Sequence, residues 1–377
     1  MDELWIILEL EVINISCTAS GSDIHRVIQI DFSSISAFLK GLSTYPQPLR
    51  LRLRIFNIFF LYKHTHQAVR KGELSTIMKL VFDKADLVKS VAIAMKAVSG
   101  KTTMPILQCI LIDATSNQIK FTSNDMELGI ETIATGMILE RGMIALDAKI
   151  FSEIVRKLPD NQVTIETDEN LVTTITCEKA KFNIPGLSGE DFSYLPILET
   201  SDCVSISQFT LKELIRQTIF SIAANENNKL MTGELFEIKD NTLRVVSLDG
   251  HRIAIRKMEL KASYPDRKVV VPGKTLNEIS KILSGEVDDQ VDLYFSENHI
   301  MFKFDDTTVV SRLIDGEYFR IDQMLSSDYE TKVTINKKEF LNCIDRATLL
   351  VKEGDKKPII IDIQDGAMEL QINSAMG

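Results

Sequence analysis

Apolar and polar positions along this chain pass through the same succession of periods more than once. Side chains alternate with period two over residues 79–83, again over 203–207 and again over 332–336, which predicts three short strands. After each strand the period changes to that of an amphipathic helix. The apolar positions are Leu87, Val91 and Met95 in the first copy, Leu211, Leu214, Ile215 and Ile219 in the second, and Phe340, Ile344 and Ala347 in the third. Asp83, Thr210 and Asn336 stand near the helix starts as candidate caps. A hairpin pattern follows each helix: 107–113 and 119–123 around Ser116-Asn117, 233–239 and 243–247 around Asp240-Asn241, and 359–363 and 368–372 around Asp365-Gly366. The first two copies then share a second helical stretch, 145–154 aligning with 270–279, and two more strands, 163–166 and 171–176 against 291–295 and 299–304. Asp191-Phe192 and Tyr194 close copy one much as Gly316-Glu317-Tyr318-Phe319 closes copy two.

The copies are far apart for a repeat. Phe82 to Ile206 spans 124 residues and Ile206 to Ile335 spans 129, well beyond the roughly 20–50 residues of a solenoid repeat. One domain type is therefore used serially, each full copy being strand-rich with two helices, an α+β unit. The divisions expected are 78–202, 203–329 and 330–377, with the third copy truncated after one helix and one hairpin. Residues 1–77 match no copy and stand as an unassigned N-terminal extension. They hold His25, His64 and His66, but a metal site at His64 and His66 is set aside for an appended segment.

Composition narrows the classes without choosing one. A hydrophobic fraction of 45% and a charged fraction of 25% are ordinary for a globular protein. A net charge of −10 means that any contact with nucleic acid must come from a local basic patch. Five scattered cysteines without a C-x-x-C argue against a disulfide framework and against structural zinc. The start Met1-Asp2-Glu3 lacks a basic n-region, and the apolar run 55–62 is too short to span a bilayer. The expectation is a soluble cytoplasmic protein without cofactor or metal.

Most catalytic motifs fail on inspection. Gly100-Lys101-Thr102 ends like a phosphate-binding loop, but Met95 stands where the leading glycine is required and a helix precedes it. Gly186-Leu187-Ser188-Gly189 is one residue short of a nucleophile elbow. In Ser247-Leu248-Asp249-Gly250-His251-Arg252-Ile253-Ala254-Ile255, Asp249 and His251 allow an acid–base reading, a tight turn or a binding surface. Copy one has Asn124-Asp125-Met126 there, which makes this surface special to copy two. Basic residues recur more regularly. Lys149 and Arg156 are seven apart on one helix, Lys274 and Lys281 occupy the aligned positions, Lys89 and Lys96 repeat the spacing, and Lys212 and Arg216 are four apart. Such faces present positive charge to a common polyanion, binding phosphate without reading base sequence.

From residue 78 to the end the chain resembles the bacterial sliding clamp, the beta subunit of DNA polymerase III. The resemblance is carried by Asp249-Gly250-His251-Arg252-Ile253-Ala254, by Thr103-Met104-Pro105-Ile106-Leu107 and by Ser311-Arg312-Leu313-Ile314-Asp315-Gly316, in register with the threefold repeat. It implies three clamp domains per chain, and a head-to-tail homodimer that closes a ring around double-stranded DNA, with helices lining the hole and sheets outside. It implies no catalytic residue; the nucleotidyltransferase activity belongs to the holoenzyme. Implied partners are the polymerase III catalytic subunit, the clamp loader, and other clamp-binding polymerases and repair proteins. By position, Lys101, Lys149, Arg156, Asn225 and Lys274 resemble DNA-facing residues. Met231, Leu248, Gly250, His251, Arg252, Ile253, Phe319, Gln323 and Met324 resemble one wall of a pocket for partner peptides. Phe182 and Ile184, on an edge strand of copy one, resemble the face that meets Leu349 and Leu350 of a neighbouring chain. Phe319 and Gln323 stand where the family usually has proline and a basic residue. The family's C-terminal tail, the other pocket wall, lies beyond Gly377, so the expectation is poor ring closure. The alternatives are a truncated clamp-derived protein that binds partners without closing a ring, and an enzyme built on Asp249 and His251.

Overall fold

The computed structural model describes residues 78–100, 102–198, 203–224, 228–325, 328, 330–351 and 357–373. The histidines at 25, 64 and 66, the run 55–62, Lys101 and Asn225 lie outside the described residues.

Copy one runs β1 (Met78–Asp83), α1 (Lys84–Ala94), β2 (Cys109–Asp113), β3 (Ile119–Asn124), β4 (Leu128–Ala134), β5 (Met137–Glu140), β6 (Met143–Asp147), α2 (Ala148–Lys157), β7 (Gln162–Thr167), β8 (Val172–Cys177) and β9 (Ala180–Ser188). Copy two runs β10 (Cys203–Ser207), α3 (Gln208–Thr218), β11 (Gly233–Leu248), β12 (Ile253–Pro272), α4 (Gly273–Ile282), β13 (Gln290–Phe295), β14 (His299–Phe304) and β15 (Thr307–Arg312). Both copies mix strands and helices, α+β as the repeat pattern predicts.

In each first helix the last apolar position of the stripe falls in a single 3₁₀ turn that finishes it, Met95–Ala97 after α1 and Ile219–Ser221 after α3. Capping differs from the expectation. Ser207, rather than Thr210, caps α3, its hydroxyl accepting from the Thr210 N–H at 3.1 Å. Asp83 sits at the α1 cap position but makes no side-chain cap bond. Asp147 caps α2 by accepting from the Ile150 N–H at 2.8 Å. In both copies a serine ties the helix end to the sheet: Ser123 donates to the Ala94 carbonyl, and Ser247 donates to the Thr218 carbonyl at 2.5 Å.

The hairpin of copy one pairs Leu111 with Thr122 and Asp113 with Lys120. In copy two the chain reverses where the turn residues predict: Asp240 takes a left-handed φ of 52°, and Arg244 reaches back across the turn to Glu237 at 3.3 Å. The stretch β11 (Gly233–Leu248) holds both arms of this hairpin, and its ladder to β12 shifts on either side of Asp240.

The two copies are joined by backbone hydrogen bonding. β15 pairs antiparallel with β4, Thr307 opposite Thr132 and Ser311 opposite Leu128, so strands of both copies form one continuous sheet. The Thr132 and Thr307 hydroxyls meet at 2.9 Å inside it. Beneath copy one, Phe82, Phe121 and Phe151 stack edge to face at 5.9 and 6.3 Å. Beneath copy two, Leu211, Ile215, Phe236, Leu276, Ile279 and Phe302 form the second core, which also takes in Ala97, Leu128 and Ile130 from copy one. Burying each large side chain contributes about 1.5–3 kcal/mol, so the joint is part of the hydrophobic core.

The remaining described residues form a separate unit, beginning at Gly316. It holds α5 (Ile321–Met324), α6 (Lys337–Ala347), β16 (Ile359–Gln364) and β17 (Ala367–Ile372). Asn336 caps α6, accepting from the N–H groups of Lys338 and Glu339 at 3.0 and 3.1 Å. β16 and β17 pair in the expected register around Gly366, whose φ is 78°. The expected strand at 332–336 is absent: this segment has no partner strand among the described residues. α6 lies against β17 but buries none of its residues.

Candidate functional site

The helices carry the basic positions. On α2, Lys149 and Arg156 are exposed and form no ion pair among the described residues. On α4 the aligned lysines are also exposed but engaged: Lys274 bonds the Asp125 carboxylate of copy one, and Lys281 pairs with Glu278 at 2.7 Å. Lys96 of copy one reaches the same Glu278 at 3.9 Å. On α3, Arg216 pairs with Glu213 at 2.6 Å, and Lys212 donates to the Leu283 carbonyl at 3.0 Å. The repeated spacing therefore yields one unpaired basic face, on α2, and partly neutralised ones elsewhere.

The wall around Gly250 is a tight turn between the longest strands. Gly250 has φ 85° and open space where a Cβ would stand, so glycine is needed for the backbone angle and not for room. One oxygen of Asp249 accepts from the N–H groups of His251 and Arg252, each at 3.1 Å, and the other accepts from Arg252 Nε at 3.0 Å. The bond from the His251 backbone, followed by those from Arg252, holds the Asp249 carboxyl below the usual range against the opposing effect of burial. Asp249 thus meets the backbone of His251, and no bond joins it to the imidazole among the described contacts. An acid–base pair is not assembled. The Arg252 guanidinium lies over the Phe220 ring at 5.5 Å, in cation–π range. Leu248 is buried at the end of β11, Ile253 is half-buried at the start of β12, and Met231 lies in the 3₁₀ turn before β11, its carbonyl accepting from the Ala223 N–H at 2.8 Å. These six residues and Phe220 come from neighbouring segments of copy two. Phe319, Gln323 and Met324 belong to the second unit, where Tyr318 and Phe319 pack edge to face at 5.6 Å, and Gln323 and Met324 lie exposed on α5.

Phe182 is 39% exposed on β9 and Ile184 is buried. β9 is only in part an edge strand. It pairs with β8 along 180–185, and its far end, Gly186 to Ser188, pairs with β6. The open edge is the Phe182–Ile184 stretch. Leu349 and Leu350 follow α6 and are exposed.

Sequence reading missed three features. Phe220 stands where copy one has Lys96, so an aromatic beside the turn was visible in the alignment of copies. Asp125 binds a lysine 149 residues away, which no local pattern reveals. Glu234 stands where copy one has Ile110; it is fully buried, and neither carboxyl oxygen has a hydrogen-bond partner among the described residues. Burial pushes its pKa up to about 8, and the Thr218 hydroxyl that opposes this is committed to the Leu214 carbonyl at 2.7 Å.

Serial α+β repeats joined through one sheet, with helix pairs α1/α2 and α3/α4 packed together, define a DNA-clamp architecture. The DNA polymerase III beta subunit N-terminal domain family matches residues 78–196, and the central domain family matches residues 205–319. The beta sliding clamp of Bacillus subtilis is 37% identical over 308 residues, covering 79% of this chain and 81% of that protein. That of Staphylococcus epidermidis is 35% identical over 288 residues, 74% of this chain and 76% of the relative. A crystal structure of a DNA polymerase III beta subunit from Eubacterium rectale is 69% identical, with TM-score 0.78 over 80% of this chain and 82% of the other. The Bacillus subtilis clamp structure is 35% identical, with TM-score 0.72 over 78% and 83%. The chain belongs to the beta sliding clamp family, the beta subunit of DNA polymerase III, and is a DNA-replication processivity component. Among the described residues no helix is long and apolar enough to cross a membrane, and no group of three or more His, Cys, Asp or Glu side chains is placed to hold a metal.

Proposed function

We propose that this chain closes head-to-tail with a second copy into a ring around duplex DNA and tethers the replicative polymerase to it, without catalysis of its own. The observation that carries this is the joint inside the chain. β15 of copy two pairs with β4 of copy one. The β8–β9 turn and the β14–β15 turn have the same left-handed residue, Glu178 with φ 51° and Asp305 with φ 45°, which aligns β9 with β15. Phe182 then takes the place of Val309, which faces Ile130, and Ile184 that of Ser311, which faces Leu128. On the other side of the joint, Leu350 aligns with Ala97, a copy-one residue packed into the core of copy two. The open β9 edge thus corresponds to the β15 side of a joint already made once within the chain, and the Leu349–Leu350 corner to the Ala97 region on its other side; repeating that operation is a heterologous contact that can close a ring.

In this reading the domains are 78–202, 203–329 and 330–377, and the protein works in the cytoplasm. Lys149 and Arg156 face the DNA, with Lys101 and Asn225 as further DNA-facing positions, while Lys274, at the position aligned with Lys149, is engaged by Asp125 at the joint. Confinement by a ring raises the effective concentration of the polymerase at its template without a tight contact. The turn Gly250–Ile253 with Met231 and Leu248 docks peptides of the polymerase catalytic subunit, the clamp loader, and other polymerases and repair proteins, and Phe319, Gln323 and Met324 are candidate peptide contacts of the second unit. One observation favours the rival, a clamp-derived protein that binds partners without closing: α6 buries no residue, and the side chains of β16 and β17 are exposed or half-buried. Sedimentation equilibrium of the full chain separates the two. The ring reading expects a dimer mass, and a monomer at micromolar concentration favours the rival.

A further inference from the structure

We propose that Asp125 is a positioning residue that holds Lys274 across the junction of the two copies and competes with DNA phosphate for it, leaving the phosphate contact to the unpaired cations of α2. The proposal rests on the clamp reading above.

The two copies carry the same turn with a different ending. Asp125 follows β3 as Asp249 follows β11. In each, one carboxyl oxygen caps the turn: Asp125 accepts from the N–H groups of Glu127 and Leu128 at 3.0 and 2.7 Å, and Asp249 from those of His251 and Arg252 at 3.1 Å each. The next residue is left-handed in both, Met126 with φ 75° and Gly250 with φ 85°. The second oxygen differs. Asp249 spends it on Arg252 of its own turn, 3.0 Å away. Copy one has Leu128 in the place of Arg252, so Asp125 has no cation within its turn, and its free oxygen bonds Lys274 of copy two.

Exposure says which partner is fixed. The Asp125 side chain is 5% exposed and that of Lys274 is 58% exposed. The carboxylate is seated in the joint, and the lysine reaches in from solvent, where a phosphate would have to draw it away. A sunken carboxylate has already lost its water and holds a cation more strongly than a surface acid does. The Lys96–Glu278–Lys281 cluster spans the same joint and occupies the other cation of α4. Lys149 and Arg156, at the aligned positions of α2, have no acid to compete for them among the described residues. The cations of α2 and α4 recur in sequence but divide their work: α2 toward the polyanion, α4 toward the joint.

The test is the salt dependence of binding to a fluorescein-labelled 30-base-pair duplex, measured by anisotropy with the full-length chain. Each phosphate contact contributes about 0.9 to the slope of log K against log salt. Asp125→Asn keeps the oxygen that caps the turn and removes the charge. The expected results are a slope steeper by about 0.9 in D125N, no change for K274A alone, loss of the gain when K274A is added to D125N, and a slope shallower by about 0.9 for K149A. A shallower slope for K274A in the wild-type background, or an unmoved slope in D125N, overturns the proposal and leaves the clamp reading standing. Absence of salt-dependent binding by the wild type and by every variant removes the clamp reading and this proposal with it.

Discussion

Replacing Glu234 should make the second clamp copy more stable and remove a pH dependence that the wild type carries. The carboxyl is fully buried, its oxygens lack partners among the described residues, and its pKa is raised from near 4.5 to about 8. Burial is the larger cause, no charged group contributes, and the Thr218 hydroxyl acts the other way. Between those two values the folded chain holds a proton that the unfolded chain has released. Stability therefore falls as pH rises through that window, by up to about 1.4 kcal/mol per pH unit, and levels off above pH 8. At pH 7 the accumulated cost is about 3 kcal/mol relative to acid conditions. Glu234→Gln should abolish the slope. Glu234→Ile, which copies Ile110 of copy one, should recover most of the cost, since it leaves no ionisable or unpaired polar group at the buried site. Urea unfolding at pH 5.5, 7.0 and 8.5 measures both effects. Parallel pH profiles for the wild type and E234Q would refute the reasoning, because the slope would then belong to other groups.

Three further outcomes follow from named contacts. Phe182→Asp places a charge on the open stretch of β9 and should reduce the sedimentation mass to that of one chain while the melting temperature holds; an unchanged dimer mass would put the interface elsewhere. Arg252→Ala removes the ion pair to Asp249 and the contact over Phe220, and should weaken a polymerase-derived clamp-binding peptide by tenfold or more in calorimetry, with a stability change within about 1 kcal/mol because the arginine is exposed. Burial, and then the Asp147 carboxylate, push the Cys109 thiol up to about 11. Native alkylation at pH 8 read by mass spectrometry should therefore label the half-buried Cys203 and Cys343 and spare Cys109.

What the sequence disclosed was whatever obeys a local period. The helices α1, α2, α3, α4 and α6 follow apolar spacing, and the hairpins follow turn residues, Ser116-Asn117, Asp240-Asn241 and Asp365-Gly366. Errors arose where a neighbour in space decides. Residues 332–336 alternate like the openings of the other copies, but β1 and β10 are strands because β7 and β13 pair with them, and this segment has no such partner among the described residues. Ser207 displaced Thr210 as the cap because a cap must stand outside the first turn, where its oxygen can meet the N–H groups of residues two and three further on. The turn at Asp249–Arg252 was readable from Asp-Gly. Its chemistry was open between catalysis and structure until the carboxylate was seen to spend both oxygens on the turn. The recurring lysines were legible as a pattern but not as free charges, because Asp125 meets Lys274 and Glu278 meets Lys96 across the joint, while Lys281 pairs with Glu278 on its own helix.

The central claim is topological: the protein encloses DNA. The direct measurement is retention of labelled protein on nicked circular duplex after loading with a clamp loader, by gel filtration in high salt, before and after one restriction cut. A closed ring stays with the circle and is lost within minutes once the DNA is linear. Equal retention on circular and linear DNA, or none on either, would contradict the claim.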